Sequence, residues 1–90
     1  MAPSILIVDD NAGMIQLMAR MLKGLARLRF ATRGDEALAL MREAPPDLVL
    51  LDAEMPGMSG YEVCEAIRAD AMLADIPVIF VTSHGETDAE

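Results

Sequence analysis

The chain has 90 residues, of which 53% are hydrophobic and 24% charged, and this composition is that of one small globular domain. Its formal net charge of −8 argues against direct nucleic-acid binding, because no basic surface is available to displace counterions from phosphates. No apolar run approaches the ~20 residues that span a bilayer, and one cysteine cannot form an internal disulfide. We therefore expect a soluble, cytoplasmic protein in which Cys64 is packed and inert.

Short apolar runs alternate with longer segments of helical periodicity, which is typical of βα units around a parallel sheet. Four strands are predicted, at residues 4–8, 28–32, 47–52 and 77–82. Helices are predicted at 11 to about 26, at 36–44 and after Ser59. The inward positions are predicted to be Met14, Met18, Met21, Leu22 and Leu25 on the first helix, Ala37, Leu38 and Met41 on the second, and Val63 and Ile67 on the third.

Two segments have the sequence of a helix start. Ser59-Gly60-Tyr61-Glu62 matches a capping box, in which the side chains of the first and last residues accept each other's backbone N–H groups. Thr87-Asp88-Ala89-Glu90 has the same pattern at the end of the sequence. We therefore expect the natural domain to continue beyond residue 90.

Two of the apolar strands end on carboxylates. The run "ILIVDDN" ends on Asp9 and Asp10, and "LVLLDAEMPGMSG" places Asp52 at the end of the third strand. Right-handed crossovers can give the strand order 2-1-3-4, in which the winding reverses between strands one and three. Ligands bind at the carboxyl ends of strands beside such a switch point, so the three carboxylates are predicted to share one crevice.

A cluster of three carboxylates must take up protons or bind a cation, because the like charges repel each other. Hard oxygen ligands of this kind suit Mg2+, which is common at sites of phosphoryl transfer. A carboxylate beside such a metal can act as a nucleophile and become an aspartyl phosphate. The alternative is that Asp9 and Asp10 merely cap the first helix, where negative charge is favourable.

Three segments, "ILIVDDN", "DLVLLDAEMPGMSG" and "IPVIFVTS", resemble in this order the receiver domain of bacterial two-component response regulators over residues 4–83. The resemblance implies an α/β fold, a flavodoxin-like doubly wound parallel sheet with strand order 2-1-3-4. Residues 1–90 would form one receiver domain, C-terminally incomplete, without the fifth strand and last helix of a complete receiver. It implies a regulatory phosphoacceptor domain that is not an enzyme.

The resemblance also assigns roles at the acidic crevice. Asp52 would be the phosphoacceptor, taking a phosphoryl group from the phosphohistidine of a histidine kinase or phosphotransfer protein. Asp10 would bind Mg2+ directly and Asp9 largely through water, with Asp52 and the backbone carbonyl of Glu54 as further ligands.

The remaining roles concern the phosphorylated state. Thr82 would be the switch hydroxyl that moves toward the phosphorylated aspartate. The backbone N–H groups of Ala53 and Ser83 would meet phosphate oxygens. His84 and Glu54 border the site in receivers, and we expect them to tune the lifetime of the phosphorylated state. For His84 the alternative is a solvated loop residue.

One feature departs from the family pattern. Receivers place a lysine at the end of the fifth strand, whereas the single lysine here is Lys23, near the end of the first helix. We therefore expect inefficient phosphorylation of this chain. Arg20, Lys23 and Arg27 share one edge of that helix, which is either a solvated face or part of a kinase-docking surface. An output domain is expected beyond Glu90.

Two other functions compete with this interpretation. The chain could act only as an interaction or dimerisation module, since "VIFV" at 78–81 would be an exposed apolar edge strand that favours a homodimer. Asp52-Ala53-Glu54 also resembles the nucleophile motif of haloacid-dehalogenase-like phosphohydrolases. That family places its motif after the first strand, which makes this alternative the weaker one.

Overall fold

The computed structural model describes residues 2–81, and these residues form a four-stranded parallel sheet with helices packed on both faces. In chain order the elements are β1 (Ser4–Val8), α1 (Ala12–Leu22), β2 (Arg27–Ala31), α2 (Gly34–Glu43), β3 (Leu48–Asp52), α3 (Gly60–Ala69) and β4 (Val78–Val81). The sheet order is β2-β1-β3-β4, which confirms the predicted topology with its switch point between β1 and β3. No helix within residues 2–81 is long and apolar enough to cross a membrane.

Alternate residues of the central strands pack on opposite faces of the sheet. Leu6 and Val8 of β1 belong to the larger core cluster, with the buried residues of α2 and α3. Ile5 and Ile7 belong to a smaller cluster, with Met18 of α1. The inward positions predicted for the second and third helices are confirmed, because all five of those side chains are buried.

The prediction for the first helix was wrong at its end. α1 stops at Leu22, because Gly24 then takes a left-handed conformation with φ of 82° and the chain turns. Met21 is 68% exposed and Leu25 65% exposed, so neither is an inward residue. Met18 is buried, and Met14 and Leu22 are partly buried against the same cluster, so these three predicted inward residues are confirmed.

The other boundaries differ by one or two residues. β2 begins at Arg27, and α2 runs from Gly34 to Glu43 instead of 36–44. The Arg29 guanidinium donates hydrogen bonds to the carbonyls of Leu40 and Ala44, which satisfies acceptors at the end of α2. These shifts leave the order and pairing of the elements unchanged.

The predicted capping box at the start of α3 is confirmed. The hydroxyl of Ser59 accepts the Glu62 N–H at 3.2 Å, and the Glu62 carboxylate accepts the Ser59 N–H at 2.8 Å. This reciprocal pair fixes where α3 begins, which matters because the helix starts beside the end of β3. The second predicted box, at 87–90, lies outside the described residues.

Candidate functional site

The carboxyl ends of β1 and β3 bring three aspartates together. β1 and β3 pair in parallel, with Val8 opposite Leu51, so the residues that follow them reach the same edge of the sheet. Carboxylate oxygens of Asp9, Asp10 and Asp52 lie within 4.8 Å of one another. Asp9 is fully buried and Asp52 is 2% exposed, whereas Asp10 is exposed. The structure therefore forms the crevice that the sequence predicted.

The helix-capping alternative for the aspartates is not what the structure shows. The side chain of Asn11 caps α1, accepting the N–H groups of Gly13 at 2.8 Å and Met14 at 3.2 Å. Asp9 instead accepts the Asn11 N–H through Oδ1 at 2.9 Å. Its Oδ2 is buried and has no hydrogen-bond partner among the residues described. A buried carboxylate oxygen without a hydrogen-bond partner is stabilised by binding a cation or by taking up a proton.

The electrostatics of Asp52 likewise indicate that this site is stabilised by a cation or a proton. Burial raises the pKa of the Asp52 carboxyl above its usual value, because charge is costly away from water. The N–H of Glu54, which donates to Asp52 Oδ1 at 3.2 Å, opposes this shift, while the negative charges of Asp9 and Asp10 add to it. All the side-chain donors are hard carboxylate oxygens, so the set fits Mg2+ better than a softer metal.

The loop from β3 to α3 holds the backbone at the end of β3. Met55 points into the core and is 8% exposed, which anchors the loop after Asp52. Gly57 makes the turn with φ of 78°, a conformation that favours glycine. The N–H of Gly60 then donates to the carbonyl of Ala53 at 3.0 Å and closes the loop.

The structure describes some of the other predicted site residues. Ala53 is buried directly after Asp52, and Glu54 is exposed. β4 runs toward the crevice, with Val81 paired to Asp52. Thr82, Ser83 and His84 lie outside the described residues, so their roles stay predictions.

Sequence reasoning missed one contact at this site. Gly60 ends the segment "DLVLLDAEMPGMSG" and belongs to the predicted capping box, but its contact with the backbone of Asp52 was not predicted. A glycine at the first position of a helix, where alanine is the better helix former, indicates close packing at that point but does not identify the residue that packs there.

A doubly wound parallel sheet with a cluster of aspartates at its switch point is an α/β domain with a candidate cation site. The family model for the response regulator receiver domain matches residues 5–90, and the chain belongs to this family. Proteins of the family are two-component response regulators, and they bind Mg2+ at an aspartate cluster of this kind. The predicted family and fold are thereby confirmed.

The chain is similar to proteins of known sequence and structure along nearly its whole length. It is 42% identical over 87 residues to a probable cyclic di-GMP phosphodiesterase of Vibrio cholerae, covering 97% of this chain and 20% of that protein. The N-terminal domain of a response regulator receiver protein from Methanoculleus marisnigri is 38% identical, with a TM-score of 0.88 over 98% of this chain and 72% of that one. A phosphorylated cyanobacterial phytochrome response regulator is 30% identical, with a TM-score of 0.85 over 92% and 66%.

The chain spans 20% to 38% of the length of the curated relatives that it matches first. Those relatives therefore carry further sequence outside the matched region.

Proposed function

We propose that this chain is the phosphoacceptor domain of a two-component system and that Asp52 receives the phosphoryl group. The observation that carries the proposal is a carboxylate only 2% exposed at the end of β3, within 4.8 Å of two other aspartates. A similar protein of the family has been crystallised in a phosphorylated form, which supports the same chemistry here.

In the proposed reaction a carboxylate oxygen of Asp52 attacks the phosphorus of a phosphohistidine on a histidine kinase or phosphotransfer protein. The new O–P bond forms as the N–P bond breaks, and the imidazole leaves with the electron pair. Asp52 must be ionised to react, yet its burial favours the protonated form. Mg2+, when bound, would supply the positive charge that keeps the carboxylate ionised and offsets charge on the phosphoryl oxygens.

Other groups of the chain would bind the metal and orient the Asp52 carboxylate. Asp9 and Asp10, together with Asp52 and the carbonyl of Glu54, would hold the metal. The Glu54 N–H donates to one oxygen of Asp52 and so restricts the orientation of the carboxylate.

After transfer, the backbone N–H groups of Ala53 and Ser83 would donate to phosphate oxygens, and the hydroxyl of Thr82 would move toward the phosphate. The added charge of close to −2 is what makes these donors effective. Glu54 and His84 remain proposed modifiers of the phosphorylated lifetime.

The test is to treat the protein with a small-molecule acyl phosphate and Mg2+ and to locate the added phosphate by peptide mass mapping. We expect the label on Asp52 in the wild type, in low yield, and its loss in Asp52→Asn. Asp47→Asn is the matched control, because Asp47 is an exposed aspartate just before the other end of β3. A label that persists in Asp52→Asn would contradict the assignment.

Metal binding has its own test in the same protein. Titration with Mg2+ should shift the backbone amide signals of residues 9, 10 and 52, and Asp9→Asn should weaken the response, because it removes a charge that faces the crevice. No response at millimolar Mg2+ with the fold intact would count against the metal site.

The partners follow from the same proposal. A histidine kinase or phosphotransfer protein supplies the phosphoryl group, an output domain beyond Glu90 receives the signal, and the location is the cytoplasm.

We also propose a homodimer of this chain through β4, since Ile79 is 51% and Phe80 42% exposed on that strand. The phosphohydrolase alternative is disfavoured, because Asp52 ends β3 and not β1 and the chain belongs to the receiver family.

A further inference from the structure

The first residue of α3 lies directly against the backbone of the proposed phosphoacceptor. A Cβ atom built on Gly60 would lie 2.1 Å from the carbonyl oxygen of Asp52, 2.8 Å from the Cα of Ala53 and 2.9 Å from the carbonyl carbon of Asp52. Real Cβ atoms essentially never approach another heavy atom within 3.0 Å. The start of α3 and the peptide between Asp52 and Ala53 are therefore in contact with no room for a side chain.

Backbone conformation does not explain a glycine at this position. The described glycines with positive φ are Gly24 and Gly57, so Gly60 has a backbone that any residue can adopt. Alanine is also the better helix former, and local structure alone would favour it here. The constraint on Gly60 is the close approach of Asp52.

The helix cannot easily move away from this contact. Its first turn is fixed by the reciprocal hydrogen bonds of Ser59 and Glu62. Val63 and Ile67, one and two turns further on, are fully buried in the core. A side chain at position 60 would therefore displace the Asp52–Ala53 peptide, by about 1 Å, sooner than the helix.

We propose that Gly60 is a positioning residue for phosphoryl transfer to Asp52. Its lack of a side chain lets α3 hold the Asp52–Ala53 peptide through van der Waals contact and the hydrogen bond from the Gly60 N–H to the Ala53 carbonyl. This contact sets where the Asp52 carboxylate and the Ala53 N–H stand relative to Asp9. The inference rests on the proposed function of Asp52.

The chain contains a matched control at the start of α2. Gly34 is likewise buried and is the first residue of its helix. A Cβ there would meet Val63 Cγ2 at 2.7 Å and the Sδ and Cγ of Met58 at 2.8 and 3.0 Å. All three are side-chain atoms. The two of Met58 belong to a flexible side chain that can rotate away from the added methyl group. Gly34→Ala thus makes the same change at the same helix position without touching the Asp52 backbone.

The experiment compares Gly60→Ala, Gly34→Ala and the wild type at saturating Mg2+ with a small-molecule acyl phosphate. We expect Gly60→Ala to lower the rate constant for labelling Asp52 on the order of 10- to 100-fold, the loss that misplacement of about 1 Å can cause. Gly34→Ala should stay within about twofold of the wild type, since its Cβ would press on side-chain atoms of Val63 and Met58 and not on the Asp52 backbone. Partial unfolding lowers the observed rate constant only in proportion to the folded fraction, so the folded fraction is measured by circular dichroism and the rate constant is divided by it.

Backbone amide shifts give a second measurement that needs no phosphorylation. Gly60→Ala should shift the signals of Ala53 and Glu54, and Gly34→Ala should not. If the wild type takes no label, the proposed function fails, and these shifts still decide whether Gly60 positions Asp52. Equal rate constants in the two variants, or unchanged Ala53 and Glu54 signals in Gly60→Ala, would overturn the inference.

A third measurement covers the case in which Gly60→Ala does not fold. In the wild type, binding of Mg2+ at the crevice should shift the Gly60 amide, because its N–H is bonded to Ala53, and should leave the Gly34 amide unchanged. A Gly60 signal that ignores Mg2+ while the signals of Asp9 and Asp52 move would likewise overturn it.

Discussion

β3 and β4 are neighbouring strands of similar apolar sequence, "LVLLD" and "VIFV", yet they differ sharply in burial. Val49 and Leu51 of β3 are fully buried, whereas Ile79 and Phe80 of β4 are about half exposed. β3 has a partner strand on each side, and β4 has β3 alone within the described residues. An apolar run therefore indicates a strand, and the position of that strand in the sheet decides how deeply it is buried.

The ends of the two strands extend this comparison. β3 ends on Asp52. Burial disfavours the charged form of this carboxyl, and the negative charges of the adjacent aspartates disfavour it further. Val81, the residue opposite Asp52 on β4, is half-buried and apolar. We infer that the central strands concentrate both the stability and the chemistry of the domain, and that β4 contributes mainly surface.

The largest difference should appear in stability. Leu51→Ala should lower the free energy of unfolding by about 2–5 kcal/mol, because it leaves a cavity in the core. Ile79→Ala should cost about 1 kcal/mol or less, since that side chain is already half in water. Urea unfolding of both variants, with similar m-values, measures the two losses. Equal losses would mean that β4 is as well packed as β3.

A smaller effect should appear in self-association. In a homodimer paired through β4, Ile79→Lys would place like charges on a shared edge and weaken association by about tenfold, or about 1.4 kcal/mol. Leu25→Lys is the control, because Leu25 is 65% exposed and precedes β2 at the opposite edge of the sheet. Sedimentation equilibrium over a range of concentrations measures both. A wild type that stays monomeric at high concentration would refute the proposed dimer.

The sequence predicted those features that depend on local patterns. Apolar runs and helical periodicity indicated the elements, and the carboxylates after two such runs indicated the crevice of Asp9, Asp10 and Asp52. Whether a helical apolar residue is covered depends on what packs over it. This is why Met21 and Leu25 fit the period of α1 and are nevertheless exposed.

The contact of Gly60 with Asp52 could not be read from local patterns. It depends on the path of the loop between them, which turns at Gly57 and brings the start of α3 back against the end of β3. The same limit applies to exact boundaries, where the turn at Gly24 ended α1 before the apolar pattern did. Packing over several elements decides such details.

The smallest effect we expect is a dependence of stability on pH that belongs to β3 and not to β4. Burial raises the pKa of Asp52 in the folded protein above the ordinary value of 3.8. Between those two values the folded state keeps a proton that the unfolded state has lost, so the free energy of unfolding falls as pH rises through this window. Above the window the carboxylate is charged in both states, and its burial penalty is complete.

In a metal-free buffer, Asp52→Asn should therefore be more stable than the wild type at neutral pH, and this advantage should shrink as pH falls toward 3.8. The difference between the two unfolding curves reports the ionisation of Asp52 together with its interaction with the adjacent aspartates. The effect of Ile79→Ala should be independent of pH, since that change removes no titrating group and lies on β4. Saturating Mg2+ should reduce the advantage of Asp52→Asn, because the cation then offsets the buried charge of the wild type. A constant advantage from pH 7 down to pH 4 would show that something other than ionisation separates Asp52 from Asn.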